Sequence, residues 1–335
     1  MPALRTELTE IVTGLGTLGF GSVDEALASR PEALVNVLPA HWDRLAEARS
    51  AGGHDEEFAQ ALANGRFFLR ARDGLRGRTP LLVEWKGPQK PPGYDSLPID
   101  LRIDHVFLVS CKYLSGILGN PSPEHLFDEL LASRPTRHGC HWYEEVAPKE
   151  YHALYRAAKS LLSRDVSLPS QPQNMTGEHR TELGKRCARR WPEELAPDYK
   201  TLCKEVSRKT AARWEAHISR ATDAEALLWR MLRFGSAPYF VLGSTSSNDL
   251  RVRIATPWDW RKLFVLRGFH VFPQDVGQPQ VGWEAKVKER ATGQERVVSG
   301  HVEIRWSHGR FCGHPEAKVY LDSAFTAVPG YLALE

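Results

Sequence analysis

No stretch of the 335 residues comes near the roughly 20 consecutive apolar residues of a membrane span. The opening Met1-Pro2-Ala3-Leu4-Arg5-Thr6-Glu7 lacks the apolar core of a secretory leader. Cysteine is sparse: Cys111, Cys140, Cys187, Cys203 and Cys312 are five in number, scattered, and form no CxxC. That excludes a disulfide framework and leads to the expectation of a reducing, cytoplasmic compartment with no membrane attachment. Neither sign of charge dominates, with 44 Lys and Arg against 41 Asp and Glu. A net charge of +3 permits an anionic partner without demanding one. GxSxG, Walker A and HExxH motifs are all missing, as are internal repeats and low-complexity tracts. Gly14-x-Gly16 and Gly19-x-Gly21 follow a helical pattern and not a strand, which argues against a dinucleotide loop.

What is present is ordinary globular material, 42% hydrophobic and 25% charged, in a chain long enough for two domains. Apolar spacing predicts helices between about Thr6 and Ala51, with Leu8, Ile11, Val12, Leu15 and Leu18 on one face. A short helix is expected from His54 to Asn64, with Asp55, Glu56 and Glu57 in its first turn, ended by Gly65. Arg66–Arg70 and Pro80–Trp85 then read as strands. Ser122 caps a helix from about Pro123 to Ser133, and Val146 to Leu162 forms an amphipathic helix. The order of helix, strands and helix is that of an α/β core.

Leu168-Pro169-Ser170-Gln171-Pro172 reads as a hinge. Beyond it, helices are expected over Thr176–Arg190, Pro197–Ser219 and Asp223–Phe234. From Tyr239 the period switches to two. Strands are expected at Phe240–Leu242, Leu250–Ile254, Phe264–Phe272, Gln280–Lys288, Arg296–Ile304 and Ala317–Leu321. The segmentation that follows is 1–165, a helical start plus α/β domain; 166–235, a basic helical segment; and 236–335, a β-rich domain.

The stretch richest in consequence is Leu97 to Tyr113, two apolar strands around a polar turn. Asp100 stands near the start of the first strand and Lys112 near the end of the second. Burying that lysine needs a compensating carboxylate. A three-residue turn at Ile103-Asp104-His105 would pair Arg102 with Val106 and set Asp100 opposite Leu108, on the face of Ser110 and Lys112. A two-residue turn would send Asp100 to the other face. Asp104 reads as a turn residue.

Pro98-Ile99-Asp100 and Ser110-Cys111-Lys112, on a hairpin with helices before and after, resemble the PD-(D/E)xK nuclease superfamily. The resemblance covers roughly Glu56 to Leu162. It implies a restriction-endonuclease-like mixed sheet flanked by helices, and a metal-dependent DNA endonuclease of restriction or host-defence type. Asp100 and a second carboxylate would hold Mg²⁺ or Mn²⁺, and Lys112 would orient or activate the attacking water. Ser110 stands where the family has its second acid and cannot carry that charge. Glu84 is the first candidate to supply it, and Glu56 or Glu57 the second. Cleavage of both strands implies a homodimer or a partner protein. With no second acid, the core would serve as a non-catalytic nucleic-acid-binding or assembly subunit.

DNA contacts are expected from Arg180, Lys185, Arg186, Arg189 and Arg190 on the basic helix. Arg208, Lys209 and Arg213 nearby extend that positive surface. Arg261 and Lys262, beside Trp258 and Trp260, suit a base-stacking loop. His308, Cys312 and His314, and likewise His138, Cys140 and His141, match no zinc module by spacing and read as loop residues.

Overall fold

Four fully buried side chains, Leu8, Ile11, Val12 and Leu15, turn helix α1 (Leu4–Thr17) into a wall of the core. At roughly 1.5–3 kcal/mol for each large aliphatic side chain removed from water, that stripe is what seats the helix. The computed structural model describes residues 4–87, 97–114, 116–129, 141–162, 167–187, 191–221, 223–245 and 248–335. After α1 come α2 (Val23–Ser29), capped by Ser22 Oγ accepting from the Glu25 amide, the short strand β1 (Leu34–Val35), and α3 (Pro39–Ala51).

Helix α4 (Asp55–Arg70) runs straight through Gly65, so the expected stop and the strand over Arg66–Arg70 are replaced by roughly one and a half more helical turns. The reason is tertiary. A Cβ on Gly65 would overlap the Thr13 carbonyl and stand 2.7 Å from Gly16 Cα, and Gly16 is hemmed in reciprocally by Leu62 and Gly65. The glycine pair lets α1 and α4 cross backbone to backbone, which outweighs the roughly 1 kcal/mol that glycine costs a helix.

The chain then lays down β2 (Val83–Trp85), β3 (Leu101–Ile103) and β4 (Phe107–Tyr113) as an antiparallel meander. It continues through β5 (Ile117–Gly119), α5 (Pro123–Phe127), α6 (Trp142–Val146), α7 (Pro148–Leu162), α8 (Gly177–Arg186), α9 (Ala196–Ile218) and α10 (Ala224–Met231). Strands β6 (Tyr239–Ser244) and β7 (Asp249–Ile254), then α11 (Pro257–Leu263), follow. Strands β8 (Phe264–Asp275), β9 (Pro279–Glu289), β10 (Glu295–Arg305), β11 (Glu316–Leu321) and β12 (Tyr331–Ala333) complete the order. Each of the six strands expected from the period-two patterning is present, with ends shifted by a few residues.

Two units result, and neither is continuous in sequence. The first holds Met1–Gly116, Arg233–Leu263 and Ala324–Glu335; the second holds Ile117–Leu232 and Phe264–Ser323. The first is a seven-stranded mixed sheet in the order β1-β2-β3-β4-β6-β7-β12. Within it β4 and β6 run parallel, as do β1 and β2. The second is a five-stranded antiparallel sheet, β5-β11-β10-β9-β8, with helices. Its long helix α9 is tied to the sheet by Ser207 Oγ, which accepts from the Gln280 amide at 2.9 Å. The protein is thus mixed α/β.

The expected segments 1–165, 166–235 and 236–335 cut across these units. Strands β6, β7 and β12 pair into the first unit's sheet, whereas β8–β11 build the second. A β-rich domain over 236–335 therefore does not exist as one body. The described cysteines, Cys111, Cys187, Cys203 and Cys312, are unpaired thiols. Among the described residues no helix is long and apolar enough to cross a membrane.

Candidate active site

The β3–β4 hairpin pairs Leu101 with Val109, Arg102 with Leu108 and Ile103 with Phe107, so its loop is Asp104-His105-Val106. That loop is one residue further on than Ile103-Asp104-His105, and Asp100 consequently stands level with Ser110 instead of Leu108. Parity is unchanged by a shift of two, so Asp100, Ser110 and Lys112 share a face as the sequence led one to expect. The Asp100 amide donates to the Val109 carbonyl at 2.8 Å. Its carboxylate Oδ2 accepts from the Cys111 amide at 2.6 Å and from Ser110 Oγ at 3.2 Å. Ser110 therefore helps to orient the Asp100 carboxylate.

The turn is pinned as well. Asp104 and His105 both adopt left-handed backbone, φ 47° and 60°. Asp104 Oδ1 accepts from the amides of Leu81 and Leu82 at 2.8 and 3.0 Å, and Oδ2 pairs with Arg78 at 2.8 Å. Burial pushes its acidity one way, and these amides and the guanidinium outweigh it, leaving the carboxyl below the usual range. It is a structural residue.

A second buried acid near Asp100 comes from α1. Glu10 is 8% exposed, and its Oε2 accepts from Trp85 Nε1 at 2.7 Å. Burial above all, and then the charge of Asp100, push its pKa up to about 8, against the pull of Trp85 and of the Lys112 ammonium. Asp100 is raised too, chiefly by burial, and is pulled back by the Cys111 amide, Lys112, Ser110 and Lys86. Two carboxyls and one lysine thus sense one another at the end of the hairpin. One turn earlier on α1, Glu7 is buried against Arg44 of α3 at 2.8 Å, adding a further negative charge beside Glu10.

The elements carrying these groups are locked by a buried polar network. Thr13 on α1 and Tyr113 on β4 share a hydrogen bond of 2.7 Å. Asn64 on α4 donates to the Gly243 carbonyl at 2.9 Å and to the Tyr113 hydroxyl at 3.3 Å, and accepts from Arg251 Nε at 2.8 Å. Gly243 faces Lys112 across the parallel β4–β6 pair, where any Cβ would overlap the Lys112 carbonyl. A satisfied network of this kind fixes one arrangement of α1 against β4.

The other sequence candidates lie elsewhere. Glu84 is gripped by the Arg102 guanidinium through two hydrogen bonds and by His105 Nδ1 at 3.3 Å. These partners hold its carboxyl below the usual range, the Arg102 hydrogen bonds foremost. Glu57 pairs with Arg5 at 3.3 Å and His54 at 3.9 Å, and Glu56 Oε1 accepts from Gln60. None of the three is among the groups acting most strongly on Asp100. Glu84→Gln is therefore expected to leave any cleavage activity within about twofold of wild type. It should cost stability about 1 kcal/mol or less, as for a partly exposed ion pair, read from the unfolding midpoint.

In the second unit the cations are largely engaged internally. Arg180 donates to the Phe311 carbonyl at 3.3 Å, Arg186 pairs with Glu182 at 2.9 Å, and Lys185 is exposed on α8. Arg189 and Arg190, like His138 and Cys140, lie outside the described residues. Arg208, Lys209 and Arg213 pair with Glu205, Glu150 and Asp128 respectively, so the expected positive surface is offset residue by residue. In the first unit, Arg261 and Lys262 are exposed on α11, which is a helix and not a loop. Lys262 Nζ sits 4.9 Å from the exposed Trp258 ring, while Trp260 is buried and donates to the Pro329 carbonyl.

Among the described residues no group of three or more His, Cys, Asp or Glu side chains is arranged to hold a metal. Magnesium asks less: one or two carboxylates, with water and substrate phosphate completing the shell. The hard oxygen donors of Glu10 and Asp100 fit that requirement. Burial raises both carboxyls, and the charge of Asp100 raises Glu10 further; a dication bound between them would offset both effects. Comparison with known proteins adds nothing to this geometry, since no family model, curated protein or solved structure matches the chain.

Proposed function

We propose that the chain is a metal-dependent DNA endonuclease of restriction or host-defence type, built on a restriction-endonuclease-like core. The observation that carries this reading is the meeting of Asp100, Glu10 and Lys112 at one end of the β3–β4 hairpin. The topology agrees with it: a helix, a three-stranded meander and a crossover to a parallel fourth strand. Glu10 takes the part that Ser110 cannot.

Glu10 and Asp100 would hold Mg²⁺ or Mn²⁺. When bound, that ion lowers the pKa of a water and stabilises charge on the scissile phosphate. Ser110 Oγ and the Cys111 amide orient the Asp100 carboxylate. Trp85 orients that of Glu10, and Lys112 adds a positive charge where the phosphate would lie. Hydrolysis of both strands would use two copies of the chain or a partner.

Purified protein with Mg²⁺ or Mn²⁺ is expected to cut plasmid DNA, and Asp100→Asn and Lys112→Ala should each reduce the rate at least about a hundredfold with folding intact by circular dichroism. Cleavage that survives both changes would sink the proposal. A second reading, a non-catalytic DNA-binding subunit, draws on the serine at position 110 and the high Glu10 pKa. It predicts DNA binding with no cleavage under either metal from pH 6 to 9.

A further inference from the structure

Opposite the carboxyl end of the hairpin lies a feature the cleavage chemistry does not use. Leu81 is 85% and Val106 71% exposed, the former the most exposed large hydrophobic residue of the described chain. They flank one residue: the Leu81 amide is bound by Asp104, and Val106 closes the same turn through the Ile103 carbonyl at 3.0 Å. The preceding segment carries four arginines within nine residues, Arg70, Arg72, Arg76 and Arg78. Arg76 and Arg78 are exposed in the segment that leads to Leu81, and His105 is exposed next to Val106. Of the nearby acids, Asp104 pairs with Arg78, Glu84 lies 3.3 Å from His105, Glu335 lies 3.9 Å from Arg72, and Asp73 is exposed within the arginine segment.

The knob is rigid. Leu75 and Gly77 amides donate to the Phe68 and Leu69 carbonyls, fastening the arginine segment onto the end of α4. Among the described residues eight non-glycine residues have positive φ, and three of them, Arg76, Asp104 and His105, belong to this small region. Asp and His are among the residues that take this conformation most readily, and the Leu81 and Leu82 amides on Asp104 hold the turn in it. An exposed leucine and valine on a fixed tip, with an arginine-rich segment leading into it, is the chemistry of a groove wedge. The cations meet phosphates while an apolar side chain enters between base steps.

We infer that this tip is a second DNA contact, at which Leu81, supported by Val106, inserts into the minor groove while Arg76 meets a flanking phosphate and Arg78 stays on Asp104, holding the turn. It rests on the nuclease reading only for the register it predicts. Four strand residues separate Asp104 from Asp100, about 13 Å at 3.3 Å each. At 3.4 Å per base pair the wedge would enter about four base pairs from the phosphate at Asp100.

The test uses full-length protein carrying Lys112→Ala, so that bound duplex stays intact, and a set of short duplexes with 2-aminopurine placed at successive positions. We expect several-fold brightening at one step. The Leu81→Ser/Val106→Ser double variant should lose the signal and about tenfold in affinity, with an unchanged unfolding midpoint. Arg76→Glu should weaken binding and flatten the salt dependence by about one charge. If duplex binds but the tip variants neither dim the signal nor loosen it, the inference is wrong while cleavage by wild type can still stand. If the tip variants act as expected but wild type never cuts with Mg²⁺ or Mn²⁺, the cleavage reading falls and the wedge remains. Absence of duplex binding, or apolar capture of a protein partner alone, overturns the wedge.

Discussion

Glu10→Gln is expected to abolish metal-dependent cleavage, by about a hundredfold or more, and to make the fold more resistant to alkali. Glutamine keeps the size and can still accept from Trp85 Nε1, which is bonded to Oε2 at 2.7 Å. It removes the charge that a dication needs. The stability effect follows from the carboxyl pKa of about 8 in the folded protein against an ordinary 4.5. Between those values the unfolded chain ionises this group and the folded one does not, so the folded state binds more protons and loses stability as pH rises. The slope is about 1.4 kcal/mol per pH unit for one fully shifted group, and the loss levels off above pH 8. Wild type should therefore fall behind the variant progressively from about pH 5 to 8 in thermal scans. Added Mg²⁺ should raise the wild-type midpoint at pH 8 and leave that of the variant unmoved. Cleavage by wild type should climb over the same range as Glu10 ionises, since binding the metal must displace its proton. An Glu10→Gln protein that cuts at the wild-type rate would place the second acid elsewhere.

A larger structural effect is expected at Gly243. Its missing side chain is what lets the Lys112 carbonyl lie flush against β6, and alanine there meets backbone that has no rotamer to give. Overpacking against a flexible side chain typically costs 1–3 kcal/mol. Between two hydrogen-bonded strands the cost should reach about 3 kcal/mol or more. Gly243→Ala should unfold at markedly lower denaturant than wild type, and whatever folds should have lost cleavage, because β4 must shift with Lys112 on it. Gly53→Ala is the control: nothing lies within 4 Å of its Cβ position, and its midpoint should stay put. Equal midpoints for the two variants would refute the packing described for β4 and β6.

Much of this was readable from residues alone. Alternation of apolar and polar positions located β6 to β11, and the hairpin's parity put Asp100 with Ser110 and Lys112. What escaped has a common physical cause, long-range packing. In a helical-spacing reading, Glu7 and Glu10 flank the apolar stripe of α1 and pass for its solvated edge. Their burial comes from Trp85 and Arg44, contributed from far along the chain. The cue was an acid pair at spacing three beside Ile11, in a helix otherwise apolar on that side. Gly65 read as a stop because local propensity is the only guide before Gly16 is known to lie against it. The segment boundaries failed because strand membership is decided by partners, and β6 pairs with β4 across more than a hundred intervening residues.

The interleaved units have a consequence for the order of events on the ribosome. Residues 10, 100 and 112 emerge early, but the sheet that braces them needs β6 at Tyr239–Ser244 and is not finished until β12 at Tyr331–Ala333. The nascent chain must carry both sheets half-built, with loop closures of the kind that slow folding and invite helpers. Under the nuclease function proposed above, late closure would act as a safeguard. A truncated or stalled translation product holds every residue of the centre and none of its alignment.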